Sequence, residues 1–328
     1  MTRAGKIATS VPLEPSRLRP RRDQAQRCGL LVAWIILLVF FSILRPDQFG
    51  TVRNIQTILS SQSVVLVLAL ASMLPLIVGE LDLSLGGILG ASSMLLGWLN
   101  VVHGWPIWLA VTAVLCCGGA IGLVNAFLVV VVRIDSIAVT LGMGTLLAGL
   151  ALAIKNLPIV GISTGLVSTL RFRAGGLQVS FYVAAALALA IWYILKFTPL
   201  GRHLYFVGAG RRVARLSGLR VGALRMGAFL GAGVIAALAG VMLAGLLGSS
   251  DPNSGVNLLL PALAGVFLGA TAFTPGRFNA AGTFVAVYFL VTGITGLEIV
   301  GYSGWVISVF YGGSLIAAVV LSRVMGRQ

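Results

Sequence analysis

Two carboxylates, Glu80 and Asp82, interrupt the otherwise apolar run LPLIVGELDLSLGGILG at residues 74–90. Acids in such a setting are costly to desolvate, and they mark broken helices, cavities or ion paths. Asp82, followed by Leu83 and Ser84, suits the N-cap of a helix, where its oxygen accepts otherwise unpaired backbone N–H groups. In a sharper reading Glu80 or Asp82 contacts a solute or ion, because exposed backbone at a helix break often lines a transport site. An aqueous interfacial loop is the third reading. Gln62, Ser84, Asn125 and Thr140 are further polar groups in apolar surroundings. For Asn125 and Thr140 hydrogen bonds between helices are the plain explanation, and with Gln62, Glu80, Asp82 and Ser84 they form the candidate lining of a substrate path.

The second chemically distinctive stretch is residues 198–225, TPLGRHLYFVGAGRRVARLSGLRVGALR, which carries six arginines and no acid between two charge-poor, membrane-length runs. Such a loop belongs on the cytoplasmic side. Its recurring apolar residues, Tyr205, Phe206, Val207, Val213, Leu216, Leu219 and Val221, are unlike those of a disordered tether. Residues 211–216 fit one or two helical turns, with Val213 and Leu216 on one side and Arg211, Arg212 and Arg215 around the other. Gly218 is placed to end them. Arg211, Arg212, Val213, Arg215, Leu216, Ser217 and Leu219 form the candidate docking surface for another protein.

These residues need a membrane bundle to position them. The 328-residue chain is 58% hydrophobic and 9% charged, with 42 glycines and a mean hydropathy of +1.04. That composition excludes a soluble core and describes an all-α polytopic membrane protein. Its net charge of +15 does not point to nucleic acid, because 16 of 23 basic residues lie in three patches, within 3–27, 196–225 and 323–327. Topology signals and lipid headgroup contacts account for them. Cys28, Cys116 and Cys117 sit in apolar segments without metal-ligand spacing, as small packing residues.

Ten spans are expected, at 28–44, 55–78, 83–102, 105–132, 137–154, 177–197, 226–247, 258–273, 280–297 and 305–321. A cytoplasmic coupling helix stands between spans six and seven. With both termini inside, inner segments collect 18 Lys/Arg and outer loops five, which supports even parity. The first span reads as a retained anchor, not a removed signal peptide. The domains are therefore a basic cytoplasmic tail at 1–27, a transmembrane domain at 28–323 with its coupling loop at 198–225, and a cytoplasmic tail at 324–328. Small-xxx-small pairs at Gly86/Gly90, Gly118/Gly122 and Gly227/Gly231 allow close backbone packing.

No G-x-x-x-x-G-K-[ST] phosphate loop occurs, so hydrolysis of nucleotide by that route is excluded. His103 and His203 lack zinc-protease spacing, and there is no G-x-S-x-G elbow. The chain is expected to have no catalytic residues, metal site or bound cofactor. It couples to an ion gradient or borrows ATP and Mg from a partner.

Four stretches carry a resemblance. GELDLSLG at 79–86 resembles GGIDLSVG, IAVTLGMGTLLAGLAL at 137–152 resembles FIVTLGT...RGLAL, VARLSGLRV at 213–221 resembles AARLSGINV, and GSSDPNSG at 248–255 resembles GSAQPNAG. In this order and spacing they are similar to the membrane permease subunits of ribose-type importers driven by ATP-binding cassettes, a family that includes autoinducer-2 and other monosaccharide permeases. The resemblance covers about residues 48–323. It implies a ten-helix permease paired with itself or a paralogue, a cytoplasmic ATPase subunit, a periplasmic sugar-binding protein and a monosaccharide or polyol-like solute.

Some positions depart from the pattern. Glu80 stands where Gly is common, Gly210, Arg211 and Arg212 replace an Asn and acids, Asp135 and Ser136 replace Pro-Pro, and Gly269, Ala270 and Thr271 replace Gly-Gly-Thr. The reversed loop charge suggests a dedicated ATPase. An ion-coupled transporter titrating Glu80, Asp82 or Asp135, an amino-acid permease and a membrane scaffold remain as alternatives.

Overall fold

The structure is a computed structural model that describes residues 19–302 and 304–326, with side chains from residue 29 onward except those of 318 and 321–326. Most of the expected tail at 1–27, and residues 327–328 of the other tail, lie outside the described residues. The first helices are α1 (Arg19–Leu44), α2 (Val52–Ser61), α3 (Ser63–Ile77) and α4 (Leu85–Gly97), followed by α5 (Ile107–Ala126) and α6 (Ser136–Ile154). Next come β1 (Ile159–Val160), α7 (Thr164–Arg171), β2 (Arg173–Ala174), β3 (Leu177–Gln178) and α8 (Val179–Phe197). The loop between spans holds α9 (Pro199–Ala209) and α10 (Arg211–Leu216). The chain continues through α11 (Val221–Leu247), β4 (Ser249–Ser250), α12 (Val256–Gly269), α13 (Ala280–Val300) and α14 (Trp305–Gly326).

Among the described residues six helices are long and apolar enough to cross a membrane, or seven if α2 and α3 count as one span. This corrects the expected ten. Hydropathy detects an apolar run but not where its helix bends or stops. The run expected at 55–78 is two helices meeting at 41°, with Gln62 at the bend. The run expected at 258–273 supplies α12, whose 14 residues extend about 21 Å against a hydrocarbon core of about 30 Å. In α1 and α14 the apolar stretches with described side chains, Gly29–Leu44 and Trp305–Ala317, fall below that length, although the helices themselves extend to Arg19 and Gly326.

Helix α3 is the axis of the bundle. From Ser63 to Met73 every residue is buried, so it has no polar face, as expected of a helix enclosed by others. Helices α8, α11, α12 and α13 pack around it. Helix α5 crosses α11 at backbone distance: a Cβ on Gly122 would collide with the carbonyl oxygen of Phe229, and one on Gly118 would lie 2.7 Å from that of Gly233. Gly86 meets the carbonyl of Gly255 in the same way, at 2.9 Å, whereas Gly227 has open space around it. Two of the three small-residue pairs thus make close contacts, and the third is represented only by Gly231 against Leu74.

At one end of the molecule β1 pairs with β4, Ile159 opposite Ser250 and Val160 opposite Ser249. Strands β2 and β3 form a two-residue hairpin whose corners, Gly175 and Gly176, both have positive φ as a primed turn requires. At the other end lie α9 and α10. Pro199 opens α9 at a position where a missing N–H costs nothing, and Thr198 caps it by accepting from the N–H of Gly201. Cys116 and Cys117 are free and exposed on α5, not packed inside.

Candidate functional site

The break between α3 and α4 begins at Pro75, a proline within the last turn of α3. Gly79 then takes a left-handed φ of 77°, and the chain runs without helix to Ser84. Glu80 and Asp82 are 5% and 2% exposed. The N-cap of α4 is Ser84, not Asp82, because the helix starts two residues later than its apolar run suggests. Asp82 instead closes the turn before it. Its Oδ1 accepts from the backbone N–H of Ser84 at 2.9 Å and from the Ser84 hydroxyl at 2.6 Å.

Two neighbouring helices fasten this turn. Asn125, near the end of α5, donates from Nδ2 to Ser84 Oγ at 2.8 Å. Thr140 on α6 donates to the carbonyl of Ser136 at 2.7 Å, with that of Leu81 at 3.4 Å, and its oxygen accepts from the Leu83 N–H at 3.0 Å. Asp82, Ser84, Asn125 and Thr140, four of the six path candidates, therefore form one buried network. Two acceptors in it, Asp82 Oδ2 and Asn125 Oδ1, have no hydrogen-bond partner among the described residues. Gln62 stands apart at the far end of α3, whose 15 residues place it about 22 Å away.

Glu80 faces the loop. Its Oε1 lies 2.6 Å from a guanidinium nitrogen of Arg211 and pairs equally with Arg225, while Arg211 also donates to the carbonyl of Gly79 at 2.8 Å. One carboxylate thus joins the helix break to both ends of the α10 region. The sequence alone assigns Glu80 to the path and Arg211 to the docking surface, and it gives Arg225 no site role. The available signal was the coincidence of two departures, an acid where glycine is common and arginines where acids are usual.

Helix α10 spans Arg211–Leu216 and ends in a complete glycine cap. Gly218 has φ of 81°, its N–H donates to Arg215, and the Leu219 N–H donates back to Ala214. Ala214 is buried, whereas Val213 and Leu216 are 57% and 83% exposed. Arg212, Arg215 and Ser217 are exposed as well, and Leu219 is half-buried. The Ser217 hydroxyl donates to the carbonyl of Val213 at 3.1 Å. Helix α9 backs this surface, with Gly208 pressed against the carbonyl of Ile77 at the end of α3. Its Tyr205 hydroxyl donates to the carbonyl of Phe278 at 2.6 Å. Burial pushes that phenol above its ordinary pKa, and nearby Arg277 pulls in the opposite direction.

Among the described residues no cluster of His, Cys, Asp or Glu could hold a metal ion. What the arrangement offers is a buried polar break wired to an exposed apolar knob.

A family profile described as the permease component of branched-chain amino acid transport systems matches residues 54–319. The D-allose transport system permease protein AlsC of Escherichia coli is 29% identical over 98% of this chain and 99% of its own. The ribose import permease protein RbsC of Bacillus subtilis is 30% identical over 91% and 93%. The autoinducer 2 import system permease protein LsrD of Klebsiella pneumoniae is 31% identical over 90% and 89%. No solved structure matches.

Proposed function

The chain belongs to this family of importer permeases, and from that premise we propose that it is the solute-translocating subunit of an ATP-driven importer of a monosaccharide or polyol-like solute. It carries no nucleotide-binding motif of its own, so ATP and Mg belong to a partner ATPase. A binding protein delivers the solute on the opposite side, and a second permease copy or paralogue completes the path. Helix α6 supports such pairing, because it is the least buried of the long apolar helices.

The observation that carries the coupling is the shared Glu80. ATP-dependent movement of the partner reaches α10 through Val213 and Leu216, and Arg211 passes it to the break at 79–84. Asp82, Ser84, Asn125 and Thr140 then change their arrangement beside the solute. A ligand or nucleotide acts here only through contacts that differ between the two packings.

The test is uptake of labelled sugars into vesicles holding the permease, its ATPase and its binding protein. Uptake should require internal ATP. Transport driven by a proton or sodium gradient without the ATPase would favour the ion-coupled reading, for which the unpartnered Asp82 Oδ2 is the specific support. Competition by branched-chain amino acids, and not by sugars, would reassign the cargo. We place α9, α10 and both termini in the cytoplasm. A single cysteine at Ser217 should resist an impermeant reagent added to intact cells, and labelling from outside would reverse that orientation.

A further inference from the structure

Where α10 meets the ends of α5, α6 and α11, a cavity of about 690 Å³ opens to the surface. Its wall holds four guanidinium groups, Arg133, Arg211, Arg215 and Arg225, against two carboxylates, Glu80 and Asp135. Four cations and two anions leave an excess of two positive charges. Both acids are already engaged: Glu80 by Arg211 and Arg225, and Asp135 by the N–H groups of Ile137 and Ala138 that it caps. Arg133 and Arg215 are exposed, and among the described residues no salt bridge joins either to an acid. Arg225 Nε is buried with no hydrogen-bond partner among the described residues.

Two further observations narrow the ligand. Arg133 holds a left-handed φ of 68°, a costly conformation for a residue with a long side chain, and such strain concentrates at binding sites. Beside it Val132, Ile134 and Ile137 are 50%, 43% and 47% exposed. They lie at the ends of apolar helices, so the cavity stands where a bilayer changes from hydrocarbon to headgroup. Guanidinium groups match phosphate oxygens in geometry and charge. Basic pockets between helices at this level suit anionic headgroups.

We infer that this cavity is a phosphate-binding site, filled by an anionic lipid headgroup or a free phosphate compound, and that its occupant competes with Glu80 for Arg211. Binding there loosens the tie between α10 and the helix break. Neither step depends on the cargo or on an ATPase, so the site can fail while the importer reading stands.

The experiment uses the purified full chain in zwitterionic detergent. Dihexanoylphosphatidylglycerol, inorganic pyrophosphate and, as control, dihexanoylphosphatidylcholine are titrated at low and high salt, with binding read by native mass spectrometry and thermal shift. The phosphatidylglycerol should bind more tightly than the control and weaken in salt. Arg133→Asn should cost about tenfold in affinity, the scale of one charge-assisted contact, while asparagine tolerates the left-handed backbone. Glu80→Gln should change affinity in the opposite direction, because Arg211 and Arg225 lose their counter-charge.

A response to phosphatidylglycerol alone identifies the headgroup as ligand. Pyrophosphate that binds and displaces the lipid identifies free phosphate. Equal binding of both lipids with none of pyrophosphate overturns the site, as does undiminished binding by Arg133→Asn combined with Arg215→Ala. So does an Arg133→Asn variant that loses its ATPase when the wild type binds no phosphate, since the cavity would then belong to a protein interface.

Discussion

The turn at 79–84 and the helix at 211–216 are tied to each other yet built on opposite principles. The turn is interior, and the bonds of Ser84 to the Asp82 carboxylate, with those from Asn125 on α5 and Thr140 on α6, hold it to within 3.0 Å at each principal contact. Helix α10 is exterior, held on its inner side by Ala214 and by arginines, with Leu216 83% exposed. Burial makes the first region intolerant of altered hydrogen bonding. Exposure makes the second tolerant in isolation and sensitive only when a partner is present. Glu80 belongs to both.

The largest effect expected is on the exposed side. Leu216→Asp should leave insertion and folding intact yet lower association with the ATPase by about a hundredfold or more, since an unpaired charge in an interface costs several kcal/mol. Co-purification reads this directly, and wild-type retention would remove α10 from the coupling role. Glu80→Ala breaks the tie itself. With Arg225 only 13% exposed, its loss of a partner should lower stability by about 2 kcal/mol, seen as an earlier melting transition in detergent; an unchanged transition would show the two regions to be independent.

A smaller difference is expected inside the turn. Asp82→Asn keeps an oxygen for the Ser84 N–H, so it should be more stable than Asp82→Ala by about 1 kcal/mol. If both variants fold normally and both abolish uptake, the charge matters and not the turn. The smallest effect should come from Arg212→Glu. An exposed charge at a rim shifts partner association by under about 1 kcal/mol and loses its influence in salt, so a salt-independent loss would move Arg212 to the centre of the interface.

Legibility in the sequence followed the range of the interactions. Helix α10 and its glycine stop could be read from residues 211–218, because a cap is settled within a few positions. The polar candidates Ser84, Asn125 and Thr140 stood out as hydroxyl and amide groups in apolar runs. Their union did not, since Ser84 and Asn125 are 41 residues apart and Leu83 and Thr140 are 57 apart. The pairing of Glu80 with Arg225 spans 145 residues, and no local periodicity encodes it. The helix count failed for a different reason: a 41° bend at Gln62 divides one apolar run and α12 stops after 14 residues, and mean hydropathy registers neither.

The close approach of α5 and α11 has a mechanical consequence. Gly118 and Gly122 meet the carbonyl groups of Gly233 and Phe229 directly, so at these two contacts no flexible side chain lies between the helices to absorb a displacement. They must travel as one piece. Helix α11 begins at Val221, five residues beyond the end of α10 at Leu216, and Asn125 follows Gly122 by three positions. A push delivered at the surface helix therefore reaches the buried amide as through a geared shaft without play, and a single methyl group inserted at Gly122 would disengage the teeth.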